Sequence, residues 1–248
     1  MKRLTAFDAV GASGDSIRLR ALCERRWLAL LRQPLANVPL TFRLDSGAEV
    51  GPVPTDASGI AEVSTRADAR RFTVLGPGRS PAEGQLYRFD RDAPLLVCDL
   101  DRTVSDGSAL RFWLSPNSFI RPFDGAPEAL RTLSHHFRIV YLTARRDLVL
   151  EKTRRWLELY LFPPGPIVGR PWSFLPPSPE EFKRAALADL TRTFARVRIG
   201  IGDRAHDARA YLAHGLTAIA FRPTQRMPEE AVLCTTWNDI LRRCLDVR

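Results

Sequence analysis

The chain has 248 residues, enough for one large domain or two small ones around a sizeable core. A 45% hydrophobic and 26% charged composition excludes a disordered or fibrous protein, and no run approaches the ~20 apolar residues of a spanning helix. The net charge is +9, and only Lys2, Lys152 and Lys183 among the 37 basic residues are lysines, so either a phosphate-bearing partner or an arginine bias of composition accounts for the excess.

Cys23, Cys98, Cys234 and Cys244 have no Cys-x-x-Cys or Cys/His metal spacing, so a reducing cytoplasm is the expected location, with at most peripheral attachment to a membrane. Residues 1–16 lack the apolar stretch of a signal peptide and read as a loose tail. Ile17 to Leu22 alternates like a strand, whereas Trp27-Leu28-Ala29-Leu30-Leu31 fits either element. From Pro34 the pattern turns to β structure. Val38 to Leu44 alternates up to a turn at Asp45-Ser46-Gly47, and Ile60 to Ser64 follows a second turn at Thr55 to Gly59. Arg71 to Leu75 and Gln85 to Phe89 add two more short strands. Strands at this spacing predict a small β-sandwich-like domain over residues 1–90. The stretch Val38 to Val63 resembles bacterial immunoglobulin-like modules, and it carries no catalytic pattern; support, scaffolding or targeting are its candidate roles.

Over residues 91–248 strand and helix alternate, which predicts a doubly wound parallel sheet with helices on both faces. Leu95-Leu96-Val97-Cys98 is a buried strand without a polar break. A helix is expected from Asp124 to Phe137, a strand from Arg138 to Leu142 and an amphipathic helix from Asp147 to Tyr160. Phe162 to Pro171 is rich in proline and glycine, with a short strand at Pro166 to Val168. Ser178-Pro179-Glu180-Glu181 is a capping box that starts a helix. Val197 to Ile201, Asp207 to His214 and Leu216 to Phe221 complete the alternation as strand, helix and strand.

In such sheets ligands sit beyond the carboxyl ends of the strands. The first core strand delivers Asp99 and Asp101, the second Thr143 and Ala144 before a helix start, the capping-box helix Lys183, and the next strand Gly202-Asp203 with Asp207. Taken singly these are turn and cap residues. Together they are two neighbouring carboxylates, a hydroxyl, an ammonium and a further pair of acids, which suits a hard divalent cation and the transfer of a phosphoryl group.

The ordered set Asp99-x-Asp101-x-Thr103, Thr143, Lys183 and Gly202-Asp203-x-x-x-Asp207 resembles the four motifs of the haloacid dehalogenase superfamily of phosphotransferases, over residues 94–221. The resemblance implies a haloacid dehalogenase-like α/β fold and Mg²⁺ as cofactor. It makes Asp99 the nucleophile that becomes an aspartyl-phosphate and Asp101 the group that protonates the leaving oxygen and then activates water. Thr143, Ala144 and Lys183 would hold the phosphate; Asp99, Asp203 and the backbone carbonyl of Asp101 would bind the metal; Thr103, Gly202 and Asp207 would support them. Arg102 stands where many members have glycine, and is either an extra phosphate contact or a solvated surface residue.

Neither Thr103 to Thr143 nor Arg145 to Lys183 has room for a full cap domain, so the site is expected to be open and to serve a phosphate on something large. Tyr141 to Arg145, Phe162 to Pro166 with Arg170, Glu181-Phe182-Lys183 and Ile201 to Asp207 are similar to stretches of the lipin-type and actin-patch-type phosphatidate phosphatases. This likeness implies a lipid phosphate at a membrane surface as substrate. Trp113, Leu114, Phe119 and Ile120, near the site mouth, either dip into the bilayer interface or, for at least half of them, pack onto the sheet edge. A nucleic-acid end phosphatase of the same fold, and a non-catalytic lipid-binding module, are the alternatives.

Overall fold

A computed structural model describes residues 2–27, 32–170 and 177–247. The chain divides into two compact units, Met1–Asp90 and Arg91–Arg248.

The first unit is built from β1 (Lys2–Phe7), β2 (Ala9–Ala12), β3 (Ile17–Arg26), β4 (Arg32–Pro34), β5 (Pro39–Leu44), β6 (Glu49–Pro54), β7 (Ile60–Thr65), β8 (Arg71–Leu75) and β9 (Ala82–Phe89). In one sheet β3 pairs antiparallel with β1, β4 and β7; the other runs in the order β2-β9-β8-β5-β6. Alternation decides which side of each strand is buried. Leu4, Leu19, Ala21 and Cys23 of the first sheet share a core with Leu40, Phe42, Phe72 and Val74 of the second, which makes the unit a β-sandwich.

The expected loose tail over residues 1–16 is corrected: Lys2 to Phe7 pair in full register with Arg25 to Arg20, and Ala9 to Ala12 pair parallel with Leu86 to Phe89. Small and basic residues hid these strands, because their stability comes from partners distant in sequence rather than from their own apolarity. The ambiguous stretch resolves as strand through Arg26, and Leu28 to Leu31 lie outside the described residues, as does Pro171. Strand β6, which carries Gly51, Pro52 and Pro54, was disguised by its turn-forming residues.

The second unit alternates β10 (Leu95–Cys98), α1 (Ala109–Leu114), α2 (Ala126–Ser134), β11 (Arg138–Arg146), α3 (Leu150–Leu159), β12 (Ile167–Arg170), α4 (Pro179–Thr193), β13 (Val197–Gly202), α5 (Ala205–Ala213), β14 (Thr217–Phe221), β15 (Val232–Cys234) and α6 (Trp237–Asp246). Its six strands are parallel, in the order β12-β11-β10-β13-β14-β15. Every side chain of β10 is buried, as a central strand covered on both faces requires. The chain leaves β10 in one direction through β11 and β12, then returns to its other side with β13. The topological switch therefore lies at the carboxyl ends of β10 and β13. Helix α2 packs with α6, and α4 with α5. The edge strand β15 and helix α6, whose buried stripe is Trp237, Ile240 and Cys244, extend the alternation past the last expected strand. No helix among the described residues is long and apolar enough to cross a membrane.

Candidate active site

The backbone N–H of Asp99 donates to the carbonyl of Ile201 at 2.9 Å, so the pairing of β10 with β13 continues one residue past the last ladder pair. This seats Asp99 beside Gly202 and Asp203 at the switch point. The opposite neighbour, β11, pairs Tyr141 with Cys98, which brings Thr143 alongside the loop that carries Asp99 and Asp101. The capping box at Ser178 fixes where α4 begins, and Lys183 follows one turn later on its buried side.

Lys183 Nζ donates to Asp99 Oδ1 at 2.8 Å and to Asp207 Oδ1 at 2.6 Å, with all three side chains buried. Thr103 Oγ1 lies 3.4 Å from Asp99 Oδ2. Carboxylate oxygens of Asp99, Asp203 and Asp207 all fall within 4.8 Å of one another. Gly202 is required here, since a Cβ at that position would meet Asp207 Oδ2 at 2.8 Å and its Cβ at 2.9 Å.

Burial pushes the Asp99 carboxyl up to about 7, with the Lys183 ammonium opposing it, and pushes Asp203 up to about 6, with Arg204 opposing. For Asp207 burial acts in the same sense, but Lys183 and a hydrogen bond from His206 prevail and hold it below the usual carboxylate value. Burial alone would weaken the Lys183 ammonium, yet Asp99 and Asp207 raise it above an ordinary lysine.

The described residues fit a divalent cation. Asp207 Oδ2 is buried with no hydrogen-bond partner, the three clustered donors are hard oxygens, and two of them have pKa values raised by burial, as carboxylates short of positive charge do. A raised acid stabilises the fold below its unfolded value, near 3.8, and that contribution is lost as pH rises through the folded value. Metal-free protein should therefore lose stability between pH 5 and pH 8 as Asp99 and Asp203 ionise, while Asp207 stays charged across that window. Mg²⁺ should raise the melting temperature more at pH 8 than at pH 5; an equal shift at both would show that the ion binds elsewhere.

Thr143 is buried, and its Oγ1 accepts from the Arg145 backbone N–H at 3.2 Å; among the described residues no hydrogen bond joins it to Asp99 or Lys183. Its expected place before a helix start is corrected. β11 runs on to Arg146, a 3-10 turn at Asp147–Val149 follows, and α3 begins only at Leu150. The strand resumes its pairing after an irregularity: Thr143 lies opposite Gly169 and Arg146 opposite Arg170, with Ala144 and Arg145 unpaired in the ladder between them. Ala144, on the same stretch, is half-buried. Arg102 has φ 58°, the left-handed backbone that glycine takes freely and that costs an L-residue about 1–2 kcal/mol. Its exposed side chain is close enough to Asp203 to favour that carboxylate.

Asp101 does not join the carboxylate cluster. Its side chain turns to Arg145, whose Nη2 donates to Asp101 Oδ1 at 2.9 Å and whose Nε is 3.2 Å from both oxygens. Reading by strand ends singled out Thr143 and missed Arg145, two residues on. The signal was there: a cation closing a strand that is otherwise apolar must either reach solvent or meet an acid.

The parallel six-stranded order, with the acid pair at its central strand and Lys183, Asp203 and Asp207 converging there, decides the fold class. The second unit is a doubly wound parallel α/β fold. No protein-family model matches the chain, and no curated protein matches it significantly. Solved structures similar to it include the D,D-heptose 1,7-bisphosphate phosphatase of B. bronchiseptica, complexed with magnesium and phosphate: 15% identity, 62% of this chain, 98% of that one, TM-score 0.47. A second is the cobalt-bound deoxy-D-mannose-octulosonate 8-phosphate phosphatase of Haemophilus influenzae, at 18% identity, 63% of this chain, 90% of that one and TM-score 0.42. A third is the Pnkp1/Rnl/Hen1 RNA repair complex, at 18% identity, 50% of this chain, 41% of that one and TM-score 0.42.

Proposed function

We propose that the second unit is of haloacid dehalogenase type and is a Mg²⁺-dependent phosphomonoesterase that works through an aspartyl-phosphate. The observation that carries this reading is a buried aspartate at the switch point, bonded to a buried lysine inside a three-carboxylate cluster, with a second aspartate two residues on. Asp99, Asp203 and the backbone carbonyl of Asp101 would hold the ion, with Asp207 beside them. When bound it supplies positive charge to the phosphate oxygens and keeps Asp99 ionised.

The chain's own residues do the rest. A carboxylate oxygen of Asp99 attacks phosphorus, the bond from phosphorus to the leaving oxygen breaks, and Asp101 gives that oxygen its proton. Water then attacks the same phosphorus and passes a proton to Asp101, which restores both aspartates and releases inorganic phosphate. Lys183 holds Asp99 in place and offsets charge as it develops. Thr143, the Ala144 backbone and Arg102 line the place of the transferred group, and Thr103 and Gly202 keep the two loops in position.

For substrate, our reading is a lipid phosphate presented at a membrane surface. Leu114 and Phe119 are 67% and 69% exposed on the segment between the two acids and β11, Leu110 joins them, and the net charge is +9. Ile120 is fully buried and Trp113 is half-buried, so of the four residues expected at the bilayer only Leu114 and Phe119 are fully available. Phosphate release with Mg²⁺ should favour phosphatidate vesicles over a 3′-phosphorylated oligonucleotide and a soluble aryl phosphate. Leu114→Ser with Phe119→Ser should lower the vesicle rate alone. Preference for the oligonucleotide would overturn the lipid reading and leave the chemistry standing. Vesicle binding without turnover of any substrate would leave a binding module.

A further inference from the structure

The guanidinium of Arg145 has no solvent exposure, whereas the Asp101 side chain that it holds is 20% exposed. A permanent cation in that position is tolerated only if its donors are met, and they are met by three elements at once. Two bonds from Nε and one from Nη2 go to Asp101, Nη2 also lies 3.3 Å from Ser105 Oγ, and Nη1 lies 3.1 Å from Thr153 Oγ1 on α3. Thr153 Oγ1 spends its own proton on the Val149 carbonyl at 2.8 Å, so toward Arg145 it can only accept. The flat face is covered as well, because the Phe112 ring centroid lies 3.6 Å from Arg145 Cζ.

Phe112 is itself fastened. It belongs to α1, whose C-terminal carbonyls at Phe112 and Ser115 accept from Lys152 Nζ, and the segment after it is tied to α3 by Trp156 Nε1 donating to the Ile120 carbonyl at 2.8 Å. The segment from Asp106 to Arg121 is therefore a bolted wall, and its one fully buried ring sets the plane of the guanidinium.

We infer that Arg145 is the positioning residue for Asp101: its fork fixes the carboxylate that exchanges a proton with the leaving oxygen and with water, and Phe112, Thr153 and Ser105 fix the fork. This inference rests on the phosphomonoesterase reading. A lysine cannot replace it, since one ammonium lacks the planar pair of donors that grips both carboxylate oxygens.

The test is leaving-group selectivity, measured as kcat/KM so that only steps up to loss of the leaving group count. The substrates are p-nitrophenyl phosphate, whose leaving group departs without a proton, and glycerol 2-phosphate, whose leaving group needs one. Arg145→Gln should lower kcat/KM on the alkyl ester about 100-fold or more and on the aryl ester less than about tenfold, the scale of general acid catalysis. Arg145→Lys should resemble Arg145→Gln. Thr153→Val and Phe112→Leu, which loosen the fork without removing it, should shift the aryl-to-alkyl ratio in the same direction, and they decide the matter if the Arg145 variants do not fold. An unchanged ratio in all folded variants, or full rescue by Arg145→Lys, would overturn the inference while wild-type turnover leaves the enzyme reading intact. Wild-type turnover of neither ester and of no phosphatidate vesicles would bring down that reading and the inference with it.

Discussion

Asp99→Asn is expected to abolish phosphate release, by about 10⁴-fold or more, and yet to leave a protein that melts no lower than wild type in metal-free buffer at pH 8. The loss follows from chemistry, because an amide cannot form the aspartyl-phosphate. The retained stability follows from burial. Asp99 is 4% exposed, and its carboxyl is pushed up to about 7, so at pH 8 the folded protein carries a charge that its surroundings disfavour. Asparagine keeps the shape and an oxygen to accept from Lys183, and removes the charge; Lys183 keeps Asp207 as its ion-pair partner at 2.6 Å. Adding Mg²⁺ should reverse the order, since wild type has the additional anionic ligand. Phosphate release and thermal melting with and without Mg²⁺ measure both halves. Residual turnover near wild type would move the nucleophile elsewhere, and a melting temperature several degrees lower at pH 8 would make Asp99 a structural partner of Lys183 before anything else.

The parts of this site that were legible in the sequence are those whose cause is local. Four apolar residues before Asp99 mark a buried strand, and a strand buried on both faces has its ligand-binding end where the first acid appears. The capping box announces the start of α4 and so the height of Lys183 along it. What stayed hidden has causes far away in the chain. The run Thr143-Ala144-Arg145-Arg146 looks too polar to continue a strand, but Arg145 is neutralised by Asp101, 44 residues earlier, and Arg146 pairs with Arg170 beyond a shift in register. Strand β1 is likewise invisible by its own residues, because only its register with β3 buries Leu4. Arg102 lies between these cases. Its departure from glycine could be read from the sequence, while the left-handed backbone that makes the departure costly could not.

Lys183→Met is expected to destabilise the protein by about 3–5 kcal/mol, the cost of removing one partner from a buried ion pair, and to lower kcat about 100-fold or more. Methionine fills the same space, so the effect is one of charge. Without the ammonium, Asp99 and Asp207 face one another inside a cluster that also contains Asp203, with nothing positive between them. For a unit of this size the melting temperature should fall by about 10 °C. The fall should be largest near pH 8 and shrink toward pH 5, because the acids can take up a proton in place of the lost cation. Mg²⁺ should recover more of the loss in the variant than it adds to wild type, since the ion then supplies the charge that Lys183 supplied. Calorimetry of both proteins at the two pH values, with and without Mg²⁺, separates these contributions. A melting temperature unchanged at pH 8 would mean that Asp99 is already protonated in the resting protein, and the ammonium would then serve the phosphate rather than the fold.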